Sequence, residues 1–175
     1  MDFRIQQLTN LKFALENNKD DLCEALLKDM GRNSFDAYLP EVGGMQLFCN
    51  HTIKNVKEWA KDRKVDTGLL IGPANSYIRP EPRGVVCVMG AWNFPVLTLI
   101  APVIDAIAAG NSVIIKPSEL APHTSKILAK ICKEGLDERF YRCVQGKVNT
   151  AIALSNQRFD LITFTGSTEK GKLIA

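Results

Sequence analysis

Long apolar runs, blocks of basic residues and closely spaced cysteine pairs are all missing from this sequence of 175 residues. The longest apolar stretch runs from Val96 to Ala109, but Thr98, Pro102 and Asp105 interrupt it, so it does not predict a membrane-spanning helix. The N-terminus lacks the basic and then apolar pattern of a secretory signal. The basic residues are scattered among acidic ones at a net charge of +3, which gives no support for a nucleic-acid or anionic membrane partner.

The cysteines and histidines are too few and too dispersed to predict a disulfide framework or a metal site. The two histidines, His51 and His123, are far apart, which favours surface or capping roles over metal ligation. An odd set of cysteines without a CxxC pair predicts a reducing compartment, and we expect the protein to be cytoplasmic. The five cysteines are Cys23, Cys49, Cys87, Cys132 and Cys143.

The first 65 residues have the periodicity of helices. Hydrophobic residues make up 46% of the chain and charged residues 23%, which is typical of a globular protein. Leucines at helical spacing predict two helices, the second of which ends at Gly31. A third helix is predicted to begin after Pro40, with one apolar stripe from Val42 to Ala60. Residues 1–65 are therefore predicted to be an N-terminal helical part.

Residues 66–82 differ from their surroundings because glycines and prolines interrupt them repeatedly. Two short apolar runs, Leu69–Ile71 and Tyr77–Ile78, are candidates for extended structure. Proline is confined to edge strands and irregular segments because it cannot donate a main-chain hydrogen bond. The segment is therefore predicted to be an extended, bridging ribbon.

From residue 83 onward, short apolar runs alternate with helical patterns. The β-branched runs at 85–89 and 112–116 predict strands that are buried on both faces of a parallel sheet, and further strands are predicted at 140–144 and 161–165. Helices are predicted at 95–109, 122–134 and 150–156, and after Ser167. This alternation predicts the α/β class, with a doubly wound, Rossmann-like parallel sheet.

Polar residues follow two of these strands at the edge where such sheets bind ligands. Lys116 and Glu119 come after the second strand, and such a pair can hold the two hydroxyls of a ribose. Gly166 and Ser167 come after the fourth strand, where a helix start can accept an anionic group. The alternatives are an ordinary exposed ion pair, with Ser118 capping the next helix, and an ordinary helix cap at Ser167.

Trp92 and Asn93 follow the first strand of the sheet. An asparagine amide that is fixed at a helix start can donate to a developing oxyanion. The alternative is a capping role for Asn93 in the helix that is predicted to begin at Pro95. No GxGxxG follows this strand, which argues against an ordinary Rossmann dehydrogenase.

Together and in this order, these segments resemble the N-terminal portion of the aldehyde dehydrogenase superfamily. The sequences EPRGVV at 81–86 and AIAAGN at 106–111 belong to the same resemblance. The lead-in YIRPEP at 77–82 is most similar to the class 3 or fatty aldehyde dehydrogenase branch. The resemblance covers essentially the whole chain and is dense from Tyr77 onward.

The resemblance implies oxidation of a small-molecule aldehyde to a carboxylic acid, with NAD or NADP as the hydride acceptor. It implies that Asn93 is the oxyanion-hole asparagine and that Trp92 lies beside the nicotinamide. It also implies that Lys116 and Glu119 hold the adenosine ribose. It further implies that Gly166 and Ser167 contact the pyrophosphate and that Thr168 and Gly171 belong to the turn that follows.

The resemblance also divides the chain. Residues 1–65 are expected to be the N-terminal helical part of a cofactor domain, residues 66–82 a bridging or oligomerisation-type segment, and residues 83–175 a partial NAD(P)-binding Rossmann-like domain. The full-length protein is expected to be a homodimer. The resemblance implies that a membrane tether, where relatives have one, belongs to a C-terminal segment beyond the position that corresponds to residue 175.

In the family, the nucleophilic cysteine and the activating glutamate lie beyond the position that corresponds to residue 175, in a catalytic domain. None of the five cysteines here matches the nucleophile, so we expect the 175-residue chain to be inactive alone. One alternative is a non-catalytic nucleotide-binding or interaction subunit derived from an aldehyde dehydrogenase. Another is an α/β domain in which the motifs are accidental.

Overall fold

The computed structural model describes the whole chain, residues 1–175, and its first part is helical. Helix α1 spans Asp2–Asn17, α2 spans Lys19–Met30, and α3 spans Ser34–Ala37. A π-helical turn, Tyr38–Gly43, then leads directly into α4, Gly44–Trp59.

The ends of these helices follow local capping interactions. Gly31 ends α2 in the left-handed conformation, with φ of 68°, which confirms the prediction at that residue. The helix predicted to begin after Pro40 is α4, which begins at Gly44, but the helical path that leads into it was not predicted. The Asn33 side chain accepts a hydrogen bond from the Asp36 N–H and starts the helical path earlier, and Pro40 lies inside the π-helical turn.

A two-stranded antiparallel ribbon follows the helices. Strand β1, Arg63–Val65, pairs with β2, Ser76–Ile78. The extended structure predicted for Leu69–Ile71 is wrong, because this run has no partner strand and forms a 3-10 turn instead. The ribbon begins before residue 66, and the division of the chain into 1–65, 66–82 and 83–175 stays a prediction.

The remaining strands form one parallel sheet. Its members are β3, Val85–Met89; β4, Ser112–Lys116; β5, Tyr141–Cys143; and β6, Leu161–Phe164. Their spatial order is β5-β4-β3-β6, and every pairing is parallel. The α/β class and the Rossmann-like sheet are therefore confirmed. The strand order reverses between β3 and β6, and such a reversal opens a crevice at the carboxyl ends of the strands.

The helices between the strands lie close to their predicted positions. They are α5, Leu97–Ala109; α6, Pro122–Gly135; α7, Val148–Ser155; and α8, Thr168–Ile174. Helix α5 begins two residues after the predicted Pro95, a difference that is usual at helix ends.

A single core joins the N-terminal helices to the sheet. It contains 28 buried residues, and α1 packs against α4, α5 and α6. At the end of α6, a Cβ atom on Gly135 would lie 2.9 Å from the Ala14 side chain, so this glycine allows the close approach of α1 and α6. This shared core fixes the N-terminal helices relative to the loops at the carboxyl edge of the sheet.

None of the helices is both long and apolar enough to cross a membrane.

Candidate functional site

The carboxyl ends of β3, β4 and β6 meet around one cleft. In the sheet register, Met89 is opposite Lys116 on one side and opposite Phe164 on the other. The residues that follow these three positions therefore become neighbours. The cleft has a volume of about 660 Å³, within the range of small-molecule sites. Its lining includes six of the predicted site residues, Trp92, Asn93, Lys116, Glu119, Gly166 and Ser167, and four further polar residues, Ser118, Ser155, Thr165 and Lys170.

Lys116 and Glu119 form a polar pair in the wall of this cleft. The Lys116 side chain is 4% exposed, and its Nζ donates to Glu119 Oε2 at 3.0 Å and to the Pro117 carbonyl at 3.1 Å. The alternative interpretation as an ordinary exposed ion pair is therefore wrong, because the Lys116 side chain is buried. Burial raises the pKa of the Glu119 carboxyl, but hydrogen bonds from its own N–H and from Lys116 outweigh this effect and lower the pKa overall.

Trp92 and Asn93 lie in the loop between β3 and α5, and the Trp92 side chain is about half exposed. Thr98 closes this loop, because its Oγ1 accepts from the Ala91 N–H at 2.9 Å and donates to the Phe94 carbonyl at 2.9 Å. The Asn93 side chain makes no hydrogen bond within the protein and does not cap α5, so the capping alternative is wrong. Its amide is free to meet a ligand in the cleft.

Gly166 and Ser167 form the turn between β6 and α8. Ser167 Oγ accepts from the Lys170 N–H at 3.3 Å, so the capping alternative for this serine is confirmed. A Cβ atom on Gly166 would lie 2.4 Å from the Phe164 ring, so a larger residue at this position would displace that ring. The main-chain N–H groups of Gly166 and Ser167 have no acceptor within the protein. Thr168 and Gly171 lie in α8 and outside the wall of the cleft.

The site also contains residues that no sequence pattern predicts. Apolar side chains also line the cleft and include Leu120, Val148, Ile152, Phe164 and Leu173. Behind the loop that carries Asn93, the carboxylate of Glu41 is completely buried and forms an ion pair with Arg32. Burial raises the pKa of Glu41, although the N–H groups of Val96 and Leu97 and the charge of Arg32 act in the opposite direction.

The five cysteines lie outside the cleft. Burial raises the pKa of Cys49 to about 12 and that of Cys87 to about 11, and it also raises the pKa of Cys23. A hydrogen bond between Cys132 and Cys143 raises the pKa of Cys132 and lowers that of Cys143. Cys143 belongs to β5, the strand at the sheet edge opposite β6. None of these thiols therefore lines the cleft that contains Asn93.

Known proteins are similar to this chain over nearly its whole length. The family model described as "Aldehyde dehydrogenase family" matches residues 2–175. Aldehyde dehydrogenase family 3 member A2 from Macaca fascicularis is 40% identical over 172 residues, which are 98% of this chain and 36% of that protein. The dimeric, NADP-preferring aldehyde dehydrogenase from Rattus norvegicus is 39% identical over 174 residues, which are 99% of this chain and 38% of that protein.

Solved structures share the fold as well. The substrate-bound state of Staphylococcus aureus AldH superposes with a TM-score of 0.97 at 36% identity, covering 99% of this chain and 38% of that one. The chain thus spans less than two fifths of the length of these relatives.

Proposed function

The chain belongs to the aldehyde dehydrogenase family, and on this premise we propose that it provides the NAD(P)-binding part of an enzyme that oxidises an aldehyde to a carboxylic acid. One observation supports the proposal above the others. Residues from three successive strand ends, Asn93, the Lys116–Glu119 pair and Gly166–Ser167, line the same cleft. Each pattern has an ordinary explanation alone, whereas their convergence at the reversal of strand order is typical of a nucleotide site.

The donors and acceptors in the cleft fit a dinucleotide. The Lys116 amine and the Glu119 carboxylate can donate to and accept from the two hydroxyls of the adenosine ribose. The unpaired N–H groups of Gly166 and Ser167 can donate to the pyrophosphate, with Thr168 and Gly171 continuing that turn. When bound, NAD or NADP supplies the hydride acceptor. The Glu119 carboxylate favours NAD because it would face the extra phosphate of NADP.

Asn93 is the residue of this chain that we place in the chemical step. When a thiolate attacks the aldehyde, its carbonyl oxygen becomes negatively charged, and the Asn93 side-chain amide can donate a hydrogen bond to it. Because that amide has no hydrogen-bond partner within the protein, no hydrogen bond has to break before it can donate. Trp92 would cover the nicotinamide beside this position.

We do not assign the nucleophile to any of the five cysteines. All lie outside the cleft, and burial keeps Cys49 and Cys87 protonated near neutral pH because it raises their pKa values. In this proposal the thiolate and the base come from a segment outside residues 1–175, and the chain alone does not oxidise aldehydes.

The same proposal extends to the substrate, the oligomeric state and the cellular compartment. The class 3 relatives support a fatty or other apolar aldehyde as the substrate, and the relative from Rattus norvegicus that is named dimeric supports a homodimer. Five free thiols favour a reducing compartment such as the cytoplasm.

The proposal is tested by incubating the purified 175-residue chain with NAD⁺ and a medium-chain aldehyde while NADH formation is followed. We expect saturable binding of NAD⁺ without turnover. Turnover at an ordinary enzymatic rate, on the order of 1–10³ s⁻¹, would refute the assignment of the nucleophile to another segment. If the protein at its natural length binds NAD⁺ but oxidises no aldehyde, the non-catalytic subunit is the correct alternative.

A further inference from the structure

A buried carboxylate from the N-terminal helices lies at the start of α5. Glu41 belongs to the π-helical turn, and its side chain is 0% exposed. Its Oε2 accepts from the Val96 N–H at 2.8 Å and from the Leu97 N–H at 3.3 Å. These are N–H groups that a helix start leaves without a partner. The cap of α5 therefore comes from a residue more than fifty positions earlier in the chain.

Arg32 links the same carboxylate to the loop before the helix. Its Nη1 pairs with Glu41 Oε1, and its Nη2 donates to the main-chain carbonyl of Asn93. The guanidinium carbon also lies 4.3 Å from the centre of the Phe94 ring. Arg32 and Glu41 thus contact four of the five residues from Asn93 to Leu97.

This arrangement does more than satisfy a helix end. A serine or aspartate next to α5 would cap it locally, and no buried charge would be needed. A buried ion pair has a large desolvation cost, which good geometry and further hydrogen bonds must offset. The rest of α5 is anchored by the core, whereas the Asn93 side chain is exposed and makes no hydrogen bond within the protein.

The start of α6 has a comparable cap, but no arginine links that cap to the loop before the helix. Asp29 of α2 accepts from the His123 N–H at 3.1 Å and from the Thr124 N–H at 2.7 Å at the start of α6. No arginine joins Asp29 to a residue of the loop that precedes α6. Asp29 is therefore a matched case of a distant carboxylate that only caps a helix.

We propose that Arg32 and Glu41 are positioning residues, which hold the main chain at Asn93 so that its side-chain amide meets the oxygen of the reacting aldehyde. The proposal rests on the oxyanion role proposed for Asn93. It extends that role because neither residue lines the cleft. Both act through Asn93 and touch neither the substrate nor the cofactor.

The effect on rate follows from the narrow tolerance of such donors. A misplacement of about 1 Å costs roughly 100-fold in rate when it affects a group that must be aligned with the reacting atoms. In Glu41→Gln, the new NH₂ group faces either Arg32 or the Val96 N–H, so one donor opposes another. In Arg32→Ala, the contacts with Asn93 and Phe94 are lost while the carboxylate remains.

The test uses the protein at its natural length, labelled with ¹⁵N-asparagine. In Glu41→Gln and Arg32→Ala, we expect the NMR signal of the Asn93 side-chain amide to move. We expect kcat for aldehyde oxidation to fall by roughly 10- to 100-fold while the Kd for NAD⁺ is unchanged. Arg32→Lys should recover part of the rate because it keeps one charged donor. Asp29→Asn should change neither the Asn93 signal nor kcat.

An unchanged Asn93 signal in both variants would overturn the inference, and so would an unchanged kcat in an active enzyme. If Glu41→Gln fails to fold, Arg32→Ala decides the matter, because the Arg32 side chain is 21% exposed and tolerates truncation better. If the unsubstituted protein oxidises no aldehyde, the proposed function fails separately. The Asn93 signal alone then decides whether the pair positions this residue.

Discussion

Replacing Asn93 with alanine is expected to lower kcat for aldehyde oxidation by roughly 100- to 1,000-fold, the loss that follows removal of one oxyanion donor. The Asn93 amide has no partner within the protein, so stability should change by less than about 0.5 kcal/mol. The Kd for NAD⁺ should also stay the same, because Asn93 acts on the aldehyde oxygen. Steady-state kinetics, calorimetry and thermal unfolding of the protein at its natural length measure these three quantities.

The matched control is Asn55→Ala, which removes a partly buried asparagine of α4 that lies outside the cleft. This variant should retain the full kcat. An Asn93→Ala enzyme with normal kcat, or with a defect confined to the Kd for NAD⁺, would contradict the oxyanion role.

The second large effect is expected at the ribose pair. Hydrogen bonds to charged groups contribute about 1.5–3 kcal/mol. Removing either the Lys116 amine, in Lys116→Ala, or the Glu119 charge, in Glu119→Gln, should therefore raise the Kd for NAD⁺ by roughly 10- to 100-fold. Glu119→Gln should weaken the binding of NADP⁺ less than that of NAD⁺, because it also removes a negative charge that repels the additional phosphate. Calorimetric titration with each nucleotide measures both effects.

The chain offers a matched control for this pair as well. Glu58 and Lys61 are also a Lys–Glu pair three residues apart, but their side chains are 72% and 66% exposed. Glu58→Gln should therefore leave the Kd for both nucleotides unchanged. An equal effect of Glu119→Gln on NAD⁺ and NADP⁺ would show that the carboxylate does not face the ribose.

The central sheet could be predicted from the sequence because its two central strands, β3 and β4, are largely buried. The runs at 85–89 and 112–116 contain almost only apolar residues, and the structure places β3 and β4 at these same residues. Because the carboxyl ends of parallel strands lie at one edge of a sheet, the parallel topology alone predicts that the residues after each strand meet there. Lys116, Glu119, Asn93 and the Gly166–Ser167 turn could therefore be assigned to one edge.

Features that depend on contacts between distant segments could not be predicted in this way. Glu41 follows Pro40 and precedes an apolar stripe, where an acidic residue predicts only an exposed helix start. Its burial depends on how the N-terminal helices pack against α5, and no local pattern encodes that contact. The run Leu69–Ile71 was misassigned for a related reason, because a strand requires a partner and this segment has none.

The central claim, that this cleft binds NAD(P), is tested most directly by titrating the ¹⁵N-labelled protein with NAD⁺ and following its main-chain amide signals. The account predicts saturable shifts at Lys116, Gly166 and Ser167, and at the Asn93 loop, with the helices α1 and α2 unaffected. The absence of any saturable shift, or shifts confined to residues outside the cleft, would contradict it.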